Sequence, residues 1–357
     1  MMKVSGHLPI DKLKIHRILI RATNWVGDVV MTMPALEAVR EHFPDRFITV
    51  LARPWVVSLF ENHPAVDQVI PFMKEGGYLK DLVKIFRQAA LIRRLRFDLA
   101  VLFQNAFEAA MLTYLGGIRY RVGYNTDGRG FLLSHAVVRD RETLRQHQVE
   151  YYLSMLRAMG WEARSRDPSL FVADKHVEAV QSLLESHGIH HDDRLLGLSP
   201  GAIFGPAKRW PIERFAAIGD WAVERWGTKV LVIGSEAEND LCEALGRSMK
   251  HKALNLCGMT NLGEAMALIK RCYFFVCNDS GLMHVATALN VPTVAIFGST
   301  DPVATGPRGK HAKIVREEMD CSPCLKPECS IGYRCLFAIE PEDVWKEMEN
   351  LRENQVR

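Results

Sequence analysis

Short apolar runs alternate along this chain with longer amphipathic stretches, and the two kinds of segment have different periods. In the first half, Ile18-Leu19-Ile20, Phe47 to Leu51, Val66 to Phe72 and Asp98 to Phe103 predict strands. A helix to about Phe43 follows the first strand, with Val29, Val30, Met33, Leu36 and Val39 on its apolar side, and Leu79 to Arg96 predicts a helix with a basic end. The second half repeats the rhythm with strands at Leu195–Leu198, Lys229–Gly234, Ala253–Leu256, Tyr273–Cys277 and Thr293–Phe297. Pro341 to Arg357 predicts a last amphipathic helix (Val344, Trp345, Met348, Leu351), opened by acidic residues that suit a helix N-terminus.

That alternation is the mark of βαβ units around parallel sheets. At 357 residues the chain exceeds what one core usually serves, roughly 250–300 residues. The polar end of Ser182 to Arg194 falls where a linker would lie, so the expected domains are 1–183 and 184–340. The expected fold is α/β, two Rossmann-like doubly wound domains facing a cleft, with ligands at the carboxyl ends of the strands.

Composition narrows the function classes. Lysine and arginine (45) nearly balance aspartate and glutamate (42), which argues against a nucleic-acid binder. No window approaches the ~18 apolar residues of a membrane span, and Met1 to Arg17 has no signal-peptide core, so the expected location is the cytoplasm. In that compartment most of the eight cysteines should be thiols. Cys242, Cys257, Cys272 and Cys277 fall on apparent core elements. Cys321, Cys324, Cys329 and Cys335 form a cluster that could hold a structural zinc or iron–sulfur centre, or could be a reduced, proline-stiffened loop.

Four turns carry candidate chemistry, each at a predicted strand end. Asn24-Trp25-Val26-Gly27-Asp28 brings a glycine and a carboxylate to the first edge, although an aspartate there could equally cap the helix. Ser199 to Pro211 carries Gly201 and ends in Lys208 and Arg209, cations suited to a diphosphate, though not in the Walker order. Gly234-Ser235-Glu236 offers a carboxylate for sugar hydroxyls. Asn278-Asp279-Ser280-Gly281, followed by His284, brings a carboxylate, a hydroxyl and free N–H groups to a helix start. Three of the four share one domain and would face one crevice. A dinucleotide oxidoreductase is disfavoured, because the first strand is not followed by GxGxxG.

The stretches NWVGDVVMTMPAL (Asn24 to Leu36), PGAIFGPAKRWP (Pro200 to Pro211) and NDSGLMHVATALNVPTVAIFGSTDP (Asn278 to Pro302) resemble the ADP-heptose:lipopolysaccharide heptosyltransferases of glycosyltransferase family 9, the type II form most. The resemblance runs in the same order through nearly the whole chain. It implies a GT-B fold whose last helix, 341–357, returns to the first domain. It also implies inverting transfer of L-glycero-D-manno-heptose from ADP-heptose to the first heptose of the Kdo–lipid A inner core, at the cytosolic face of the inner membrane.

By that resemblance Asp28 is the general base and Lys208 the cation that stabilises the diphosphate. Gly201, Arg209, Glu236, Asp279, Ser280, Gly281 and His284 join Lys208 around the donor, and no cofactor is required. Asn24, Trp25, Gly27, Arg53 and Arg121 are the acceptor candidates, with Arg119 and Arg129 as further cations on expected loops. A type I or III enzyme, or a non-catalytic nucleotide-sugar-binding protein, are the alternatives.

Overall fold

The computed structural model describes the chain except for residues 1–2, 7–8, 74–77 and 357 and the side chains of 78–83, 355 and 356. The expected start of the basic helix at Leu79 and the expected end of the last helix at Arg357 fall partly outside these limits. Two units emerge, Met1–Phe171 and Val172–Arg357.

The first unit is built on a seven-stranded sheet: β1 (Val4–Ser5), β2 (Arg17–Arg21), β3 (Phe47–Ala52), β4 (Gln68–Pro71), β5 (Leu99–Leu102), β6 (Tyr120–Tyr124) and β7 (His135–Val137), in the order β1-β7-β6-β5-β2-β3-β4. All neighbours are parallel except β1 and β7. β2 sits between β3 and β5, so the chain winds outward on one side of it and then on the other, which puts the switch point at its carboxyl end. β1, β6 and β7 escaped the sequence reading. β1 is two residues long, β7 three, and β6 reads Tyr-Arg-Val-Gly-Tyr, too polar to stand out as an apolar run.

The second unit has a six-stranded parallel sheet of β8 (Leu195–Ser199), β9 (Lys229–Val232), β10 (Ala253–Asn255), β11 (Phe274–Asn278), β12 (Thr293–Ile296) and β13 (Ala312–Val315), ordered β10-β9-β8-β11-β12-β13. Its switch point lies between β8 and β11, whose registers pair Cys277 with Ser199. The predicted strands here match the sheet within a few residues; β13, with only Val315 buried, was missed.

Two boundary expectations are corrected. Helix Asp174–Ser186 packs on helix Leu262–Arg271 of the second unit, so the division falls at 171/172 and not at 183/184. The polar stretch that suggested a linker is held in place: Lys229 Nζ reaches Asp193 Oδ2 at 2.7 Å, and Arg271 donates to the carbonyls of His190 and Asp193 at 3.0 and 2.9 Å. The last helix, Pro341–Val356, was expected to return to the first domain. Its apolar face instead completes the core of the second: Val344, Trp345, Met348 and Leu351 are buried there, and Trp345 lies 4.5 Å from Trp226, centroid to centroid. Large aromatic burial of this kind contributes on the order of 3–5 kcal/mol per ring. Cys242 and Cys257, read as core thiols, are joined in a disulfide, and the other six cysteines are free.

Candidate functional site

In the second unit, the two loops leaving β8 and β11 are tied together by one buried amide. Asn278 accepts from Trp210 N–H at 3.0 Å and donates to the Pro200 carbonyl at 2.7 Å, so both ends of the loop 200–210 hang on the last residue of β11. A fully buried asparagine with both ends satisfied is a rigid positioning device. Lys208 closes the short 3₁₀ helix Pro206–Lys208 and places Nζ 2.6 Å from Asp279 Oδ2. The same carboxylate oxygen accepts from Thr300 Oγ1 at 2.5 Å, and the ring of Phe204 lies 4.9 Å from the ammonium.

Lys208 and Asp279 side chains are 14% and 5% exposed, so the pair is largely desolvated. Around it are hydroxyls without partners: the buried Oγ atoms of Ser280 and Ser299 make no hydrogen bond. Ser280 caps helix Gly281–Ala288 through its backbone only, which leaves the first N–H groups of that helix and its positive dipole end for a ligand. His284 is buried at 5% exposure within that helix.

Gly201 faces Glu238, whose carboxylate would lie 1.9 Å from a Cβ at that position. Glu238 also accepts from Ser235 N–H and Oγ at 2.9 and 2.7 Å, so it joins the turn after β8 to the turn after β9. Glu236 is exposed beside it. Arg209 is held by a 3.3 Å bond to the Ala202 carbonyl. Thus Gly201, Lys208, Arg209, Asp279, Ser280, Gly281 and His284 gather at the carboxyl edge of the sheet, with Glu236 beside them. The sequence reading missed Thr300 and Glu238, which act through residues it did name.

The cysteine loop supports this edge from behind. Pro327 carbonyl accepts from Ala207 N–H at 3.0 Å, Leu325 N–H donates to the Ser299 carbonyl at 2.8 Å, and Ser322 Oγ donates to the Gly298 carbonyl at 2.6 Å. Gly205 makes the first contact possible, because its φ of 144° and the Pro327 oxygen 2.4 Å from a hypothetical Cβ both exclude a side chain. Cys321, Cys324, Cys329 and Cys335 are free, and among the described residues no three His, Cys, Asp or Glu side chains are grouped to hold a metal ion.

In the first unit, Asp28 lies in the first turn of helix Val26–Met31, whose cap position is Trp25, so Asp28 is not the cap. Its charge is near enough to Tyr152 to help burial push that phenol upward. Gly27 lies within the same helix and has no positive φ, so no unusual backbone angle requires a glycine there. Asn24 accepts from Trp55 Nε1 through its carbonyl at 2.8 Å, and Trp25 is 63% exposed.

The arginines divide. Arg121 is on strand β6, not a loop, and donates to the carbonyls of Leu132 (2.6 Å), Arg119 (3.2 Å) and Ile118. Arg129 is fully buried, donating to Tyr124 and Ala106 carbonyls at 3.0 and 3.3 Å and to Asn105 Oδ1 at 3.2 Å, and burial lowers its pKa to about 10. Both are engaged in holding the chain. Arg53 is 9% exposed at the end of β3, with one long bond to the Phe72 carbonyl at 3.4 Å.

The chain is built of two doubly wound α/β units, each with candidate site residues at a switch point of its sheet. The chain belongs to glycosyltransferase family 9 (heptosyltransferase), whose sequence profile matches residues 85–333. It is 32% identical to lipopolysaccharide heptosyltransferase 2 of Salmonella typhimurium over 344 residues, covering 94% of this chain and 98% of that protein. Lipopolysaccharide heptosyltransferase 1 of Pseudomonas aeruginosa is 27% identical over 88% of this chain and 87% of that one. The structure of E. coli ADP-heptose lipopolysaccharide heptosyltransferase II is similar with a TM-score of 0.80 at 27% identity, covering 96% of this chain and all of that one. Family, fold and enzyme class expected from the three motifs are thereby confirmed.

Proposed function

We propose that this enzyme transfers L-glycero-D-manno-heptose from ADP-heptose, with inversion, to the first heptose of a heptosyl-Kdo2-lipid A acceptor. The observation that carries the reading is the Lys208–Asp279–Thr300 cluster beside two unpartnered serine hydroxyls and a helix N-terminus. Negative charge grows on a leaving diphosphate, and a pre-positioned ammonium with N–H groups stabilises charge where it develops. Lys208 has two donors beyond the one given to Asp279. Asp279 holds the lysine and is left the donor-positioning task, while Asp28 takes the proton of the acceptor hydroxyl. The relatives of type 2 align over nearly the full chain at 27–32% identity, whereas types 1 and 3 align over 88% and 78% of it, which favours the type II acceptor.

The acceptor is a lipid, and the helix Tyr78–Leu95 suits a membrane surface. From Lys84 to Leu95 it has four cations and no acid, with Phe86 60% and Leu91 38% exposed among Arg87, Arg93 and Arg94. Among the described residues no helix is long and apolar enough to cross a membrane. Incubation with ADP-heptose and defined truncated cores, read by mass spectrometry, tests the assignment. One heptose added to the heptosyl core is expected, and heptose added directly to Kdo2-lipid A would make it a type I enzyme.

A further inference from the structure

Three parallel strands of the first sheet end side by side, and each end delivers one member of a cluster that the motifs did not announce. Arg21 closes β2, Arg53 follows β3, and Phe72 follows β4. The two guanidinium carbons each lie 4.8 Å from the centroid of the Phe72 ring. Arg21 is 2% exposed and Arg53 9%.

Two like charges packed on one ring call for a counter-charge, yet none among the described residues touches them. Among the described residues no carboxylate lies within ion-pair distance of either guanidinium; Glu108 acts on Arg21 only through space. Burial, and then the charge of Arg53, lowers the Arg21 pKa to about 10. The donors of Arg21 go to neutral oxygens, the Ala22 carbonyl at 2.7 Å, the Leu51 carbonyl and Asn24 Oδ1 at 3.4 Å each, so its hydrogen bonds fix its position without neutralising its charge. Arg53 is the less occupied of the two. Its one bond is the long contact to Phe72, and Nε of both arginines is buried without a partner. Desolvated cations without a partner are costly unless a ligand completes them, and a guanidinium fork matches an oxyanion bidentately.

The place agrees with a ligand site. The 3₁₀ helix that follows Arg53, Pro54–Leu59, packs on the helix carrying Asp28. Trp55, 57% exposed and 5.7 Å from the Arg53 guanidinium, offers a ring on which a sugar can stack.

We propose that Arg53, backed by the buried charge of Arg21, is an oxyanion-recognition site that seats a phosphate or carboxylate group of the acceptor saccharide beside Asp28. Arg53 makes the contact and Arg21 raises the local potential and fixes the Phe72 ring between them. The inference rests on the acceptor-side reading of the first unit given above.

Calorimetric titration of the full-length enzyme, with the donor site saturated by ADP and ionic strength held constant, tests it. The probes are glucose 6-phosphate, glucuronate and glucose. Saturable binding of at least one charged sugar is expected, with glucose binding about tenfold or more weakly. Preference for the phosphate or for the carboxylate identifies which acceptor group the site reads. Arg53→Met should weaken the charged sugar about tenfold or more without lowering the melting temperature or changing ADP affinity. Arg53→Lys, which keeps the charge and loses the fork, should give an intermediate affinity. The proposal is overturned if neither charged sugar binds better than glucose, or if both variants bind it as the parent does. An enzyme that binds the charged sugars as expected but fails to bind ADP would sink the donor assignment and leave this site standing.

Discussion

The cations at the two sheet edges are held in opposite ways. In the second unit Lys208 comes with its counter-ion, a carboxylate 2.6 Å away that is itself fixed by Thr300. In the first, Arg21 and Arg53 share an aromatic ring, and among the described residues no acid pairs with either. A pre-paired lysine is placed with precision but adds little net charge, so a diphosphate there also needs the helix N–H groups. An arginine couple with no ion pair among the described residues keeps its charge largely unneutralised, which is a cost to the free protein and an attraction for an anion.

The comparison can be broken at several points, and removing the Asp28 carboxylate, the proposed base, should make the largest difference. Asp28→Ala should lower the transfer rate by about 10²–10⁴-fold with ADP titrations unchanged, and an active variant would remove the first edge from the chemistry. Lys208→Met should cost about 10²–10³-fold in kcat and weaken ADP as well. The opposite deletion, Asp279→Ala, strands a mostly buried ammonium and should destabilise the fold by about 3 kcal/mol in urea unfolding. Arg21→Met should not: because its folded pKa lies below the unfolded one, protonated Arg21 carries a folding penalty at every pH below about 10, so its melting temperature should stay level or rise. The smallest expected effect is that of Thr300→Val, about 1 kcal/mol, seen as a several-fold rise in KM for the donor that Thr300→Ser reverses.

The two edges also differed in how well the sequence revealed them. Lys208, Asp279 and Ser280 lie in long turns with unusual residues directly after apolar strands, and local spacing sufficed to group them. Thr300 lies 21 residues beyond Asp279, and only the β11–β12 pairing shows that it touches the carboxylate. The arginines fared worse. Arg21 lies just past the predicted run Ile18-Leu19-Ile20 and was not singled out, while Arg121 and Arg129 looked like loop cations, because a chain's polar pattern does not reveal that a guanidinium is taken up by backbone carbonyls. Strand β6 was invisible for the same reason, since its arginine and glycine interrupt the apolar run. The last helix was correctly predicted as amphipathic, but an apolar face does not name its partner, and Trp345 meets Trp221 and Trp226 in the second unit.

The loop behind the Lys208 turn offers an optical handle already written into the chain. Cys324 is exposed and immediately precedes Leu325, whose N–H ends on the Ser299 carbonyl, next to Thr300. An environment-sensitive dye on that thiol would sit one residue from a hydrogen bond reaching the donor edge. Its emission could report nucleotide arrival in real time, without a labelled sugar and without touching a residue that handles the substrate.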